Sequence, residues 1–362
     1  MKEPVVFFTD FNTTTERNIE AKFRELLKQA GIGSMHLKQK IVALKMHFGE
    51  PGNLAFLRPN YTAWVVDIIK KMGGLPFATD CNTLYKGRRS NAVDHLQAAA
   101  ENGFNALTLG CHIIIGDGLK GTDYRETDIH LKHCNTAKIG TAIADADVLI
   151  TINHFKGHEM AGFGGCLKNL GMGCGSVGGK LFMHSDSQPG INRKNCSQCG
   201  TCFDHCAYNA IHPGPDGIAA INYDLCTGCG QCIAVCRYDA AHVRWDAVSM
   251  QEKMMEYAFA AVKNKPALHL NFLTDISPNC DCWPNNNPAI TPDLGILASF
   301  DPVAIDKASV DMINTSPWCT GHHNNEQDKF KSLYPDTDWR KGLDYAESIG
   351  LGKQKYKLIT VN

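Results

Sequence analysis

Two short runs carry the least ambiguous chemistry in this 362-residue sequence, CSQCGTCFDHC (196–206) and CTGCGQCIAVC (226–236). Both space their cysteines Cys-x2-Cys-x2-Cys-x3-Cys, and thirty residues separate Cys196 from Cys226. The same offset superposes Tyr208 on Tyr238 and Ala210 on Ala240, so the segment is an internal duplication. Three thiolates on one tight loop can hold three irons of a [4Fe–4S] cubane, and the fourth iron needs a ligand from elsewhere. Zinc is the competing reading, but it uses four-cysteine sets without needing two interlocked triplets.

The spacing resembles that of bacterial two-cluster ferredoxins, in which the fourth cysteine of each run ligates the other cluster. The resemblance implies one cluster on Cys196, Cys199, Cys202 and Cys236, and a second on Cys226, Cys229, Cys232 and Cys206. The proline that follows the fourth cysteine in that pattern is Ala207 in one repeat and Arg237 in the other. A free amide or a nearby positive charge there would alter the potential, because hydrogen bonds, charge and exposure tune such centres.

A second reactive stretch precedes these runs, NHFKGHEMAGFGGCLKNLGMGCGSVGG (153–179). Its GCGSVG satisfies G-x-G-x-x-G, but a dinucleotide fingerprint follows its strand directly and has an acid about 20 residues on. Here the expected strand ends some way upstream, and 195–198 offer no acid. His154 and His158 are four apart, as in zinc-protease helices, yet Gly157 stands between them and argues against a helix. Position is the stronger argument, since open α/β sheets bind ligands at the carboxyl ends of their strands. His154 falls there, and Asp10, His47, Asp80, Asp275 and Asp301 follow other expected strands. These residues outline a cleft. Within it Lys45, Lys156 and Lys168 could bind an anion, while His47, His154 and His158 could move protons or bind metal. Gly164, Gly165, Gly173 and Gly175 would let backbone amides approach a carboxylate or phosphate, forming a substrate cradle.

Cys280 and Cys282 in NCDCW, with Cys319 and His322 in WCTGHH, could bind an additional metal. Buried, inert thiols are the simpler reading, and Cys166 and Cys174 pose the same choice.

These groups need a frame, and the sequence supplies one. Apolar runs at VVFF (5–8), KIVALKMH, LPFATD, DVLITIN (147–153), ALHLNFLTD, GILASF and KYKLITVN read as strands. Helical patterns alternate with them at TTTERNIEAKFRELLKQAG, near 60–72, near 90–102, near 136–145, at 248–263 and at PVAIDKASVDMI. Such alternation predicts a Rossmann-like α/β fold with a mostly parallel sheet covered by helices. The pattern stops near 190 and resumes after 246, so residues 1–190 plus 246–362 form the α/β domain and 191–245 a small ferredoxin-like α+β insert. A net charge of −1 and the lack of a basic block argue against nucleic acid. No apolar run reaches the roughly 20 residues of a membrane span, and the N-terminus lacks a signal-peptide pattern. A cytoplasmic protein is expected, and its sixteen cysteines are then not a disulfide framework, many of them being metal ligands instead.

Beyond the cysteine repeats the chain resembles the family built on the domain of unknown function numbered 362. The likeness lies in KMHFGEPGN (45–53), NHFKGHEMAGFGGCLKNLGMG (153–173), DISPNCDC (275–282) and DPVAID (301–306). It implies an α/β domain interrupted by a two-cluster module and supplies no reaction. HFKGHEMAGFGGCLKN is also similar to the histidine–glycine–lysine loop of the nickel-pincer lactate racemases, which would suggest an organometallic or small-hydroxyacid site. The expected function is an iron–sulfur oxidoreductase. Electrons from an external redox partner such as ferredoxin would pass through two 4Fe–4S clusters to a small anionic ligand in the cleft. The alternatives are an electron carrier or iron–sulfur assembly factor, or non-redox metal chemistry with structural clusters.

Overall fold

The computed structural model describes residues 3–361 except 85–86, 185–188, 207, 227–231, 233–235, 239, 244–247 and 320–326. Eight strands form one sheet: β1 (Val5–Asp10), β2 (Ile41–Lys45), β3 (Leu75–Asp80), β4 (Ile113–Ile115), β5 (Val148–His154), β6 (Ala267–Leu273), β7 (Gly295–Ser299) and β8 (Lys357–Thr360). Their order across the sheet is β8-β1-β7-β6-β5-β2-β3-β4. Every neighbouring pair is parallel except the two that involve β7, which runs antiparallel to β1 and β6. The fold is therefore α/β with a mostly parallel sheet, and helices cover both faces.

Strand alternation sorts the side chains between the two layers. Val148, Ile150 and Ile152 of β5 join the core that holds Phe23, Leu27, Val65 and Ile69 from helices Ile19–Ala30 and Pro59–Lys71. Leu149 faces the opposite core, with Leu170, Met254 and Val310 from helices Cys166–Cys174, Val248–Val262 and Pro302–Thr315. On this second face the inward positions nearest the carboxyl ends turn polar. Lys45, Thr151, Asn153, His269 and Asn271 are all buried there. No helix among the described residues is long and apolar enough to cross a membrane.

Three expectations need correction. The 13–17 stretch is not helical, because Asn18 caps the helix by accepting from the Ala21 amide, and helix 19–30 begins after it. Residues 136–140 are a strand rather than the start of a helix. They pair antiparallel with Tyr124–Asp128, bury Ala137 and Ile139 with period two, and leave only Thr141–Ala144 helical. The third concerns Asp301. Because β7 runs against its neighbours, its carboxyl end lies at the opposite edge from His154. Asp301 there accepts from the Val303 and Ala304 amides as the cap of helix 302–315.

Helices 166–174 and 248–262 pack closely because Gly171 has no side chain, and an added Cβ would lie 2.1 Å from the Met254 carbonyl oxygen. Backbone cannot swing aside as a side-chain tip can. Gly171→Ala is expected to lower unfolding free energy by about 1–3 kcal/mol, the usual cost of overpacking, read from urea denaturation midpoints.

The 191–245 segment is entered and left through one antiparallel pairing, Pro189–Ile191 with Ala241–Val243. A second small pairing, Ile211–Pro213 with Ala219–Ile221, backs a core of Ile211, Ala219, Cys232 and Ala241.

Candidate functional site

The glycine-rich stretch 153–179 is ordered, not a connecting loop. After β5 it makes a hairpin, Lys156–His158 with Gly162–Gly164, and then helix 166–174. The helix start is capped from a distance. Asp306 of helix 302–315 accepts from the amides of Cys166 and Leu167, both at 2.8 Å. Gly165 allows this approach, since a Cβ there would sit 2.5 Å from the Asp306 carboxylate. Burial pushes Asp306 up to about 6 in spite of those bonds. Asn271 joins Asp306 to β6, and Asn153 joins Asn271 to Asn169 of helix 166–174. The polar inward ends of the strands are thus satisfied by one buried network.

Between the hairpin, helix 166–174 and the 280–283 turn lies a cavity of about 120 Å³. All six candidate cleft side chains, Lys45, His47, His154, Lys156, His158 and Lys168, line it. Gly164, Gly165 and Gly173 line it as well, whereas Gly175 packs towards Met183 and Tyr257 and stands outside the lining. Of the other strand-end acids, Asp80 lines the cavity and Asp10 instead pairs with Lys22. Asp275 donates its amide to Asp293.

The three histidines differ in their bonding. His47 Nδ1 accepts from the Gly49 amide at 2.9 Å, so the proton of its neutral ring is on Nε2. That Nε2 is buried and has no partner among the described residues. His158 Nδ1 accepts from the amides of Met160 and Ala161, which sets the same tautomer. Burial first, then the surrounding cations, Arg89 and the lysines for His47 and the lysines for His158, hold both rings well below the ordinary histidine pKa and keep them neutral. His154 is the opposite case. Its Nδ1 meets both oxygens of Asp281, at 2.8 and 2.9 Å, and its Nε2 meets the Thr274 carbonyl at 2.8 Å. Both neighbours only accept, so each ring nitrogen faces an acceptor and the ring is held in one orientation.

Asp281 also lies 3.4 Å from Lys156 Nζ. Burial opposes charge on this carboxyl, but His154 and Lys156 together bring it down to about 2. Lys45 pairs with Asp80 at 2.9 Å, and Arg89 with Glu50 at 2.6 Å. Lys168 Nζ stands 3.6 Å from Cys280 Sγ. Burial works against the charge on Lys168, yet Cys280, Cys282 and Glu159 raise its pKa above the ordinary lysine value. Glu159 is itself pushed up to about 7, mainly by burial. The cavity thus presents ammonium and N–H donors, a lining suited to an anion.

The profile of a protein family described as "Domain of unknown function (DUF362)" matches residues 42–311. The chain belongs to the DUF362 family. That match contains every cavity residue named above. No curated protein matches this DUF362 chain. The structure of the lactate racemase apoprotein from Thermoanaerobacterium thermosaccharolyticum aligns at 14% identity over 74% of this chain and 51% of that one, with a TM-score of 0.39. A crystal structure of a Thermotoga maritima protein aligns at 12% identity over 80% of this chain and 57% of that one, with a TM-score of 0.38. The DUF362 chain thus spans a little over half the length of each.

Cys280 and Cys282 line the cavity beside His158, and the three donor atoms lie within 4.8 Å of one another. Cys319 does not line it and donates its amide to Ile290, while His322 lies outside the described residues. Cys166 and Cys174 are buried, and burial raises the pKa of both, as in inert thiols.

In the insert, Cys196, Cys199, Cys202 and Cys236 face a single small void. Burial and its three neighbouring thiols push Cys202 up to about 11. Cys232 belongs to the small core of this segment and Cys206 packs against it, Cys226 is half-buried, and Cys229 lies outside the described residues. The fourth cysteine is treated alike in both repeats. The Ala210 amide donates to Cys206 Sγ at 3.2 Å and the Ala240 amide to Cys236 Sγ at 3.3 Å.

Several site residues had no recognisable pattern in the sequence. Asp281, Glu159 and Asn169 lie inside the NCDCW and 153–179 stretches but drew no role from their types, and Arg89 and Lys180, which also line the cavity, fit no motif. Only the long-range contacts reveal them.

Proposed function

We propose that this DUF362 chain is an iron–sulfur oxidoreductase that delivers electrons from an external ferredoxin-type donor to a small anionic ligand in the cavity. The observation that carries this reading is the convergence of Cys236 with Cys196, Cys199 and Cys202. A fourth thiol from the other repeat is what interlocked cubanes require. Cys206, Cys226, Cys229 and Cys232 would hold the second cluster. When bound, the two clusters supply one-electron transfer at potentials set by the amide-to-sulfur bonds. The remaining work belongs to the chain. Lys156 and Lys168 would bind the anion, His47 Nε2–H and His158 would donate to it, and the His154–Asp281 pair holds Lys156 in place.

Anaerobically purified full-length protein tests both halves. The expected content is about eight irons and eight sulfides per chain. Small carboxylates and inorganic phosphate should raise the melting temperature in proportion to the logarithm of concentration, and Lys168→Met should remove that rise while leaving the EPR signals of the reduced clusters unchanged. Clusters that reduce normally in a protein that no anion stabilises would point instead to an electron carrier.

A further inference from the structure

We propose that Cys280 and Cys282 form a reversible disulfide, a two-electron site at the wall of the cavity. The Trp283 amide donates to the Cys280 carbonyl at 3.2 Å, closing a turn. Both thiols line the cavity, while Asp281 between them binds His154 and Lys156. Cysteines two apart can meet the Cα separation that a disulfide needs, about 4.4–6.8 Å. The two sulfurs lie within 4.8 Å of one another, and Lys168 Nζ stands 3.6 Å from Cys280 Sγ, which favours Cys280 as the thiolate and Cys282 as the thiol.

A metal on the same atoms is a weaker fit. The lone pair of His158 is engaged by the Met160 and Ala161 amides, and the other nitrogen of the neutral ring carries a proton. Two thiols then remain without the imidazole donor that a His-Cys-Cys site needs. The hairpin and turn are also fixed to each other, since the Gly157 amide donates to Ser277 and Tyr334 Oη donates to the Pro278 carbonyl at 2.6 Å.

Oxidation forms the Cys280–Cys282 S–S bond, breaks the Cys282 S–H bond and releases two electrons and one proton. The proton goes to the Glu159 carboxylate, which lines the same cavity. The electron acceptor is a small-molecule disulfide or, on the reading given under Proposed function, two one-electron iron–sulfur centres. Run in reverse, the pair would collect two single electrons and present them together to the ligand.

The test equilibrates anaerobic full-length protein in oxidised and reduced dithiothreitol buffers, quenches in acid, alkylates, and weighs the peptide that carries both cysteines. The expected result is a disulfide-to-dithiol ratio that changes tenfold per roughly 30 mV, the slope of a two-electron couple, and that vanishes in Cys282→Ser. A peptide that alkylates twice at every potential overturns the inference, as does a stoichiometric metal that must be chelated before either thiol reacts. Iron and sulfide measured on the same samples keep the two readings apart: full cluster content with an inert pair sinks only the disulfide.

Discussion

On the proposed two-cluster reading, Cys236→Ala is expected to remove the cluster of the first repeat, so that iron falls from about eight to about four per chain, although Cys236 lies in the second repeat. The expectation follows from placement. Cys236 faces the void shared by Cys196, Cys199 and Cys202, and a cubane that has lost one of four thiolates is exposed to loss. A single variant cannot tell which cluster has gone, but a double variant can. If Cys196 and Cys236 serve one cluster, Cys196→Ala with Cys236→Ala loses no more iron than either alone, the non-additivity of groups that share one partner. If each repeat instead bound its own fourth cysteine, the double variant would lose about eight irons. Cys206→Ala is the mirror case and should combine without further loss with Cys226→Ala. Iron and acid-labile sulfide per chain, with EPR of the reduced samples, decide the pairing.

How far the sequence alone reaches depends on the range of the interaction involved. Strands β2, β3, β5 and β6 were legible because a strand covered on both faces is a nearly unbroken apolar run, and the edge strand β8, though mostly exposed, was legible from its own apolar residues. Their shared carboxyl edge followed from parallel pairing, and it correctly gathered His47, Asp80 and His154 at one place. The direction of β7 was not legible, because GILASF reads the same whichever way its neighbours run, and Asp301 went to the wrong edge for that reason. The short strand β4, III, carries too few residues to show a period.

The hairpin and helix inside 153–179 were hidden by glycine, which ordinarily marks loops. Here it marks close approach: Gly157 to the Pro278 carbonyl, Gly165 to Asp306 and Gly171 to Met254. The cleft lysines were found as types at the right edge. Their partners Asp281, Asp80 and Cys280 come from distant parts of the chain, and only folding brings those charges together.

The largest stability effect should come from Asp281→Asn. The carboxylate is almost wholly buried and faces the His154 ring and the Lys156 ammonium. The amide keeps one oxygen acceptor and turns its NH2 towards donors, so Lys156 loses its counter-charge and His154 one of its acceptors. Breaking a buried pair in this way costs about 3–5 kcal/mol. The pH dependence carries a sign that tests the cause. Asp281 has its folded pKa at about 2, below the ordinary 3.8, so the folded state binds its proton less readily than the unfolded chain. The stabilisation is present above pH 4 and disappears as pH falls through 2, a change worth roughly 2 kcal/mol for a shift of this size. Urea unfolding of the wild type and Asp281→Asn from pH 7 to 2 should therefore show a gap that is constant down to about pH 4 and narrows below it. A gap that keeps its full width to pH 2 would mean that Asp281 contributes through shape alone. On the proposed two-cluster reading, iron content should be unaffected at neutral pH, because the cysteines that would hold the clusters lie at 196–236 while Asp281 pairs with Lys156.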